Sequence, residues 1–168
     1  MGCISCGNEE IIINYDIKTD ALSQHCKYRK NHKVGNLTLS EELCDKANKK
    51  ISKLIEKDDD EYIDDEDEGE LGENLYISYQ GPNKVKEICE SWYNEKKNYI
   101  FGQIKYQKGT GHFTQMIWKG TKEVGFGWGT SKSNKFYFLA YYYPAGNEIG
   151  KFKENVLEDK SKKNAKEE

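Results

Sequence analysis

Residues 135–143 read KFYFLAYYY, a run that is apolar on both sides of an extended chain. Phe136, Phe138, Ala140 and Tyr142 fall on one face and Tyr137, Leu139, Tyr141 and Tyr143 on the other, because successive side chains of a strand point in opposite directions. A strand without a polar face must be covered twice, so it belongs in a sheet packed on both sides. Just upstream, EVGFGWG at 123–129 alternates Val124, Phe126 and Trp128 with small or polar residues. The polar turn Ser131-Lys132-Ser133-Asn134 between the two runs predicts a hairpin.

The covering layers come from the first hundred residues. Thr19 or Asp20 caps a predicted helix through ALSQHCKYRKNHK (21–33), which Gly35 and Asn36 break. A second helix follows Thr38 or Ser40, with Leu43, Ala47, Ile51 and Leu54 at helical spacing. GELGENLYISYQGPN (69–83) then leads, with no element assigned to it, into a third helix over KVKEICESWYNEKKNY (84–99), with Val85, Ile88 and Trp92 on one side. The fold class is therefore α+β, a three-layer α-β-α sandwich around a mostly antiparallel central sheet. No internal repeat is visible.

At 168 residues the chain is one domain with tails. Its 33% charged content is concentrated locally: residues 56–70 (EKDDDEYIDDEDEGE) carry eleven acids and one lysine, and residues 151–168 carry six lysines and five acids. Such runs read as solvated segments, and the first lacks the Asp-x-Asp-x-Asp-Gly spacing of a calcium loop. A net charge of −3 without a basic stripe gives no reason to propose nucleic acid as a partner, and none is expected. The best basic cluster, Lys27, Arg29, Lys30, His32 and Lys33, is short. No cleavable secretion signal is visible, and the longest apolar stretch is far below the ~18 residues of a membrane span.

The first six residues are MGCISC. A redox pair at Cys3 and Cys6 would need a strand before it and a helix after it, and a zinc knuckle would need two more ligands. Gly2 after methionine removal is instead an acceptor for myristate, although the usual pattern has Ser or Thr where Cys6 stands. One myristoyl chain anchors only marginally, and residues 7–10 (GNEE) offer no basic patch. Palmitate on Cys3 or Cys6 is the second signal that stable anchoring requires, which places the protein on the cytosolic face of a membrane. The string is similar to the doubly acylated termini of Src-family kinases.

Only three histidines occur, and His112 lies between the glycine-rich turn Gly109-Thr110-Gly111 and the apolar FTQMIW, which predicts a ring at a strand entrance. That position suits a ligand, an acid-base group or a hydrogen-bonded strand end alike. No Gly-x-Ser-x-Gly elbow marks a nucleophile. Cys26, Cys44 and Cys89 fall on the helices as buried or half-buried thiols, and the odd count of five cysteines excludes a complete disulfide frame within the chain.

GHFTQMIWKGT at 111–121 resembles the signature of the CAP superfamily (cysteine-rich secretory proteins, antigen 5, pathogenesis-related 1). Three segments agree in the same order: HCKYRKNH with the family's His-Asn-x-x-Arg helix, GENLY with its Gly-Glu-Asn-Leu motif, and YYYPAGN with its second signature. Together they cover about residues 18–157, leaving an acylated tail at 1–17 and a charged tail at 158–168. The intracellular, myristoylated, Golgi-associated plant pathogenesis-related-like branch is the part of the family that the chain resembles most. The resemblance implies an α-β-α sandwich, and a cleft tetrad of two histidines and two acids that binds zinc or another divalent cation in many members. By motif, Glu73, Glu95 and His112 match three of the four, while the second histidine is expected near Tyr62, where none exists. Zinc or magnesium binding is thereby weakened. His25 and Arg29 match the helix motif and are expected to be structural, with Cys26 replacing the family's asparagine. The resemblance further implies binding of a sterol, an anionic phospholipid or a protein partner, and a homodimer. Its alternatives are a metal-dependent hydrolase using Glu73, Glu95 and His112, or an extracellular defence or signalling protein.

Overall fold

The computed structural model describes residues 16–58 and 69–159. Gly2, Cys3, Cys6, Tyr62 and most of the acidic run lie outside them. The elements are α1 (Ile17–Asn31), β1 (Thr38–Leu39), α2 (Glu41–Lys57), β2 (Gly72–Ser78), α3 (Val85–Asn94), a 3-10 turn (Glu95–Asn98), α4 (Gly111–Met116), β3 (Glu123–Thr130), β4 (Phe136–Tyr143) and α5 (Phe152–Asn155).

The two-sided strand lies at the heart of the molecule. β4 pairs antiparallel with β3 across the predicted hairpin and antiparallel with β2 on its other side, in the order β1-β3-β4-β2. Phe136, Phe138, Ala140 and Tyr142 enter a large core shared with α1, α3 and α4. Tyr137, Leu139 and Tyr141 enter a smaller one beneath α2 with Leu43, Ala47, Ile51 and Leu54. The three-layer sandwich follows directly from that alternation. One feature differs from the expected sheet: β1 runs parallel to β3, so the sheet is mixed. Two residues flanked by Gly35-Asn36 and a helix cap carry no periodic signal that could have announced it.

β3 presents Val124 and Phe126 to the large core, and Gly125, Gly127 and Gly129 to α2. A Cβ on Gly127 would stand 2.6 Å from the backbone of Ala47 and Asn48, and one on Gly125 would stand 2.4 Å from that of Cys44. The helix thus lies directly on the strand backbone, and the alternation of large and glycine residues sets how close the layers come.

Helix boundaries moved where caps differed from expectation. α1 starts at Asp16, whose carboxylate accepts from the Lys18 N–H and the Thr19 hydroxyl, so it begins ahead of Thr19. α2 is capped by Ser40 as predicted, with the Leu43 N–H donating to its Oγ at 3.4 Å. α3 stops at Asn94 and tightens into the 3-10 turn, ahead of the expected end at Tyr99. GENLYIS, to which no element was assigned, is the edge strand β2, with a single residue of its middle fully buried, Asn74.

Candidate functional site

Two polar networks are built on the histidine-bearing elements. The first is closed. His25 on α1 is fully buried, its Nδ1 2.7 Å from the Ala21 carbonyl and its Nε2 2.8 Å from the Tyr142 hydroxyl. The carbonyl can only accept, so Nδ1 donates and Nε2 accepts the hydroxyl proton of Tyr142. The Tyr142 oxygen in turn accepts from Asn74 Nδ2 at 3.1 Å, and the same amide donates to the His112 carbonyl at 3.1 Å. A chain of donors thereby ties α1, β4, β2 and α4 together. Burial holds the His25 imidazole neutral, lowering its pKa to about 4 against its hydrogen bond to Ala21.

Arg29, one turn further on, is also fully buried and donates to four carbonyls: Gly35 at 2.6 Å, Met116 at 3.1 Å, Trp118 at 2.9 Å and Thr121 at 3.2 Å. Its guanidinium satisfies the last carbonyl of α4, that of Met116, together with three carbonyls of the chain after α1 and after α4. Desolvation lowers its pKa to about 10, which leaves it charged at neutral pH. His32 is buried too, its Nδ1 2.6 Å from the Leu157 carbonyl. The basic cluster seen in sequence is therefore no surface patch: Arg29 and His32 point inward, and Lys27, Lys30 and Lys33 remain outside.

The second network is open. His112 occupies the first turn of α4, where a strand entrance was expected. Phe113, Met116 and Ile117 are all buried at helical spacing, and a short run that is apolar in both periods cannot be assigned by pattern alone. Its Nδ1 lies 2.7 Å from Glu95 Oε1, and Glu95 Oε2 accepts the Phe113 N–H at 3.1 Å. Trp92 lies parallel to the ring at 11° and 5.8 Å between centroids. The tightening of α3 into the 3-10 turn supplies this geometry: it turns Glu95 back onto α4 while Trp92, three residues earlier, flanks the imidazole.

Glu73, Asn74, Glu95, Tyr106, Gly109, Gly111, His112 and Asn147 line a cleft of about 250 Å³. The structure thus brings the three motif residues Glu73, Glu95 and His112 to one cavity. It also gives each carboxylate another partner. Lys50 of α2 places its Nζ 2.5 Å from Glu73 Oε2 with its own side chain only 6% exposed, and Glu95 is held by His112 and the Phe113 backbone. Among the described residues no three His, Cys, Asp or Glu side chains converge as a metal site. The donor set does not fit a zinc or magnesium ion, because the ammonium of Lys50 already neutralises one of its two carboxylates. Lys50 escaped notice in the sequence although it stands on the buried stripe of α2, between Ala47 and Leu54, where a lysine is out of place. That is the signal by which it could have been found. Asn147 closes the cleft from the chain after β4, donating to the Gly111 carbonyl at 3.0 Å and accepting from the Thr114 hydroxyl at 2.6 Å.

Residues 22–143 match the sequence profile of the cysteine-rich secretory protein family, CAP. The chain belongs to the CAP family. It is 38% identical over 144 residues to the Golgi-associated plant pathogenesis-related protein 1 of Homo sapiens, covering 84% of this chain and 92% of that one. It is 33% identical over 158 residues to protein PRY2 of Saccharomyces cerevisiae, covering 84% of this chain and 41% of that protein. The solved structure of NaASP2 with Zn2+ superposes with a TM-score of 0.69 at 23% identity, over 94% of this chain and 90% of that one, and shows the shared fold. CAP relatives thus include proteins named as Golgi-associated and as secreted, the latter among them the secreted protein PRY1 of Candida albicans. Among the described residues no helix is long and apolar enough to cross a membrane.

Proposed function

We propose that this CAP domain is a non-enzymatic binding module, tethered to the cytosolic face of a Golgi or plasma membrane by acyl groups on Gly2 and on Cys3 or Cys6, where it binds lipid or a protein partner. The observation that carries the non-enzymatic reading is the lining of the cleft. No serine, threonine or cysteine lines it, Glu73 is ion-paired to Lys50, and both oxygens of Glu95 are engaged. A lining without a side-chain nucleophile, in which both carboxylates are already engaged, supports a binding role over covalent catalysis. Burial raises the Cys89 thiol to about 12 and also raises that of Cys44, so neither is a nucleophile at neutral pH. The metal-dependent hydrolase has no support in this donor set.

The tether reading is supported by the residue pattern of MGCISC and by the 38% identity to a protein named for its Golgi association. The test is the intact mass of the protein from its own cells, with its partition between membrane and cytosol, for wild type and Gly2→Ala. One myristoyl and at least one palmitoyl group, with the variant released to cytosol, is the expected result. An unmodified or trimmed terminus in secreted protein would replace this reading by the extracellular one. The acidic run 56–70 is repelled by anionic headgroups and is expected to face away from the bilayer. A neutral linker in its place should then tighten binding to anionic vesicles; unchanged binding would sink that orientation.

A further inference from the structure

The cleft holds more hydrogen-bond acceptors than the chain itself uses. Asn74 lines it and is 1% exposed, with its amide nitrogen spent on the His112 carbonyl and the Tyr142 hydroxyl. Its buried Oδ1 has no hydrogen-bond partner among the described residues. A buried acceptor left unpaired is costly, so this oxygen calls for a donor from the cleft. Glu73, beside it on β2, engages Lys50 through Oε2, and its Oε1 accepts nothing from the described residues. His112 donates to Glu95 through Nδ1, so Nε2 of the neutral ring is a further acceptor. The Tyr106 hydroxyl stands over Gly111, 3.3 Å from where a Cβ on that glycine would lie. Donors are scarce by comparison: Asn147 Nδ2 is spent on the Gly111 carbonyl, and the Lys50 ammonium on Glu73.

We propose that the cleft takes a primary alkylammonium group, whose N–H groups donate among Asn74 Oδ1, Glu73 Oε1 and the Tyr106 hydroxyl. An ammonium brings three donors and no acceptor, which suits a lining of acceptors. Charge agrees with this choice. Lys50 offsets one of the two carboxylates and leaves the other, which is too little for a divalent metal ion and matches a single positive charge. A guanidinium fits less well, because its planar fork seeks paired carboxylate oxygens. Here one oxygen of Glu73 and both of Glu95 are already engaged. The pairing of Lys50 with Glu73 shows the same chemistry within the chain, an ammonium held on the same carboxylate. The ring of Tyr106, 52% exposed, gives an alkyl chain an apolar flank on its way out. Lys105 and Lys108 on the same segment are exposed, where salt screens them. The inference rests on the reading of the cleft as a binding site and names the group it selects; the group belongs either to a free aliphatic amine or to a lysine side chain of a partner.

The test titrates the full chain with pentylammonium, with pentanol, which has no charge, and with pentyltrimethylammonium, which keeps the charge without an N–H. Heat and the backbone amide shifts of Gly109, Gly111 and His112 are the readouts. Pentylammonium is expected to bind with a Kd of about 1 mM. The other two should bind at least about tenfold more weakly, since each lacks the charged hydrogen bonds. Glu73→Gln should weaken pentylammonium about tenfold, and Lys50→Met, which leaves Glu73 its full charge, should tighten it up to about fivefold. A capped lysine tripeptide and its Nε-acetyl form separate the two sources. Tighter binding of the tripeptide than of pentylammonium, lost on acetylation, assigns the site to a partner's lysine, and otherwise the ligand is a free amine. Equal responses to all three pentyl probes, shifts centred away from the cleft, or no saturable response to pentylammonium would each overturn the ammonium site. None of these results bears on the membrane tether, which the mass and partition measurement judges separately.

Discussion

His25 and His112 stand at the two ends of one chain of hydrogen bonds, yet they inhabit different kinds of structure. His25 is fully buried, with both ring nitrogens bonded and an aromatic neighbour on several sides, Trp92, Phe126 and Tyr142. His112 has a side chain 39% exposed, one nitrogen on Glu95, and a cleft before it. The Asn74 amide bonds both networks. The family motif that contains His25 therefore builds the scaffold, and the motif that contains His112 furnishes the cavity. The contrast can be broken by showing that the two cost the same to remove.

The closed network carries the largest expected effect. Arg29→Met would leave the buried carbonyls of Met116 and Thr121 without their donor, while Trp118 keeps the Thr121 N–H and Gly35 stands at the exposed surface. Each stranded buried acceptor costs ~1–3 kcal/mol, so the loss should reach about 4 kcal/mol. A domain typically has about 5–15 kcal/mol in all, so the variant should be at the edge of folding. Urea midpoints at constant slope measure it. A loss near 1 kcal/mol would show that water reaches these carbonyls and that α4 does not depend on α1.

His25 makes the same contrast visible in pH. In the unfolded chain its imidazole titrates at about 6.5, and in the folded protein at about 4. Between these values the unfolded state binds a proton that the folded state does not, so stability falls as pH falls from 6.5 to about 4. Above 6.5 both states are neutral and the residue gives no pH dependence. The loss by pH 4 should be about 3 kcal/mol. His32 acts in the same direction, since burial lowers its pKa as well. His25→Phe should therefore be less stable at pH 7 and flatter between pH 6.5 and 4 than wild type; equal slopes would mean that the ring is already charged in the fold.

His112→Ala is expected to cost less, about 1 kcal/mol or below. Glu95 keeps the Phe113 N–H, and water can replace the imidazole at a half-open position. A loss equal to that of His25→Phe would erase the distinction between scaffold and cavity.

The parts of this arrangement legible in sequence were those with a period. KFYFLAYYY announced a doubly covered strand because both of its faces are apolar, and Leu43, Ala47, Ile51 and Leu54 announced α2. β2 was missed because an edge strand buries few residues, and GENLYIS alternates neither strictly nor in a helical period. α4 was mistaken for the start of a strand because six residues wholly surrounded by core give no moment in either period. Motif resemblance pointed to Glu73, Glu95 and His112, and all three line one cleft. What motifs could not supply was the partner of Glu73. That partner comes from α2, and nothing in GENLY points to it.

Lys50 is therefore the finest test of the comparison, and its effect the smallest. Its ammonium meets Glu73, whose side chain is 31% exposed, so the pair is partly screened and worth no more than ~1 kcal/mol. Lys50→Met keeps the stem that packs beneath the sheet beside Tyr141, 5.9 Å from the ammonium, while removing the charge. Stability should change by less than ~1 kcal/mol, and the difference should shrink in 1 M salt, where the Debye length is about 3 Å. The informative readout is zinc uptake followed by calorimetry. Wild type should take up no stoichiometric zinc because the protein supplies its own cation to Glu73. If Lys50→Met acquires a zinc response that Glu73→Gln then abolishes, a lysine on the buried face of α2 is what separates this cleft from a metal site. If wild type binds zinc as strongly as the variant, the ammonium does not hold Glu73 in solution, and the cleft belongs with the metal-binding members of the family after all.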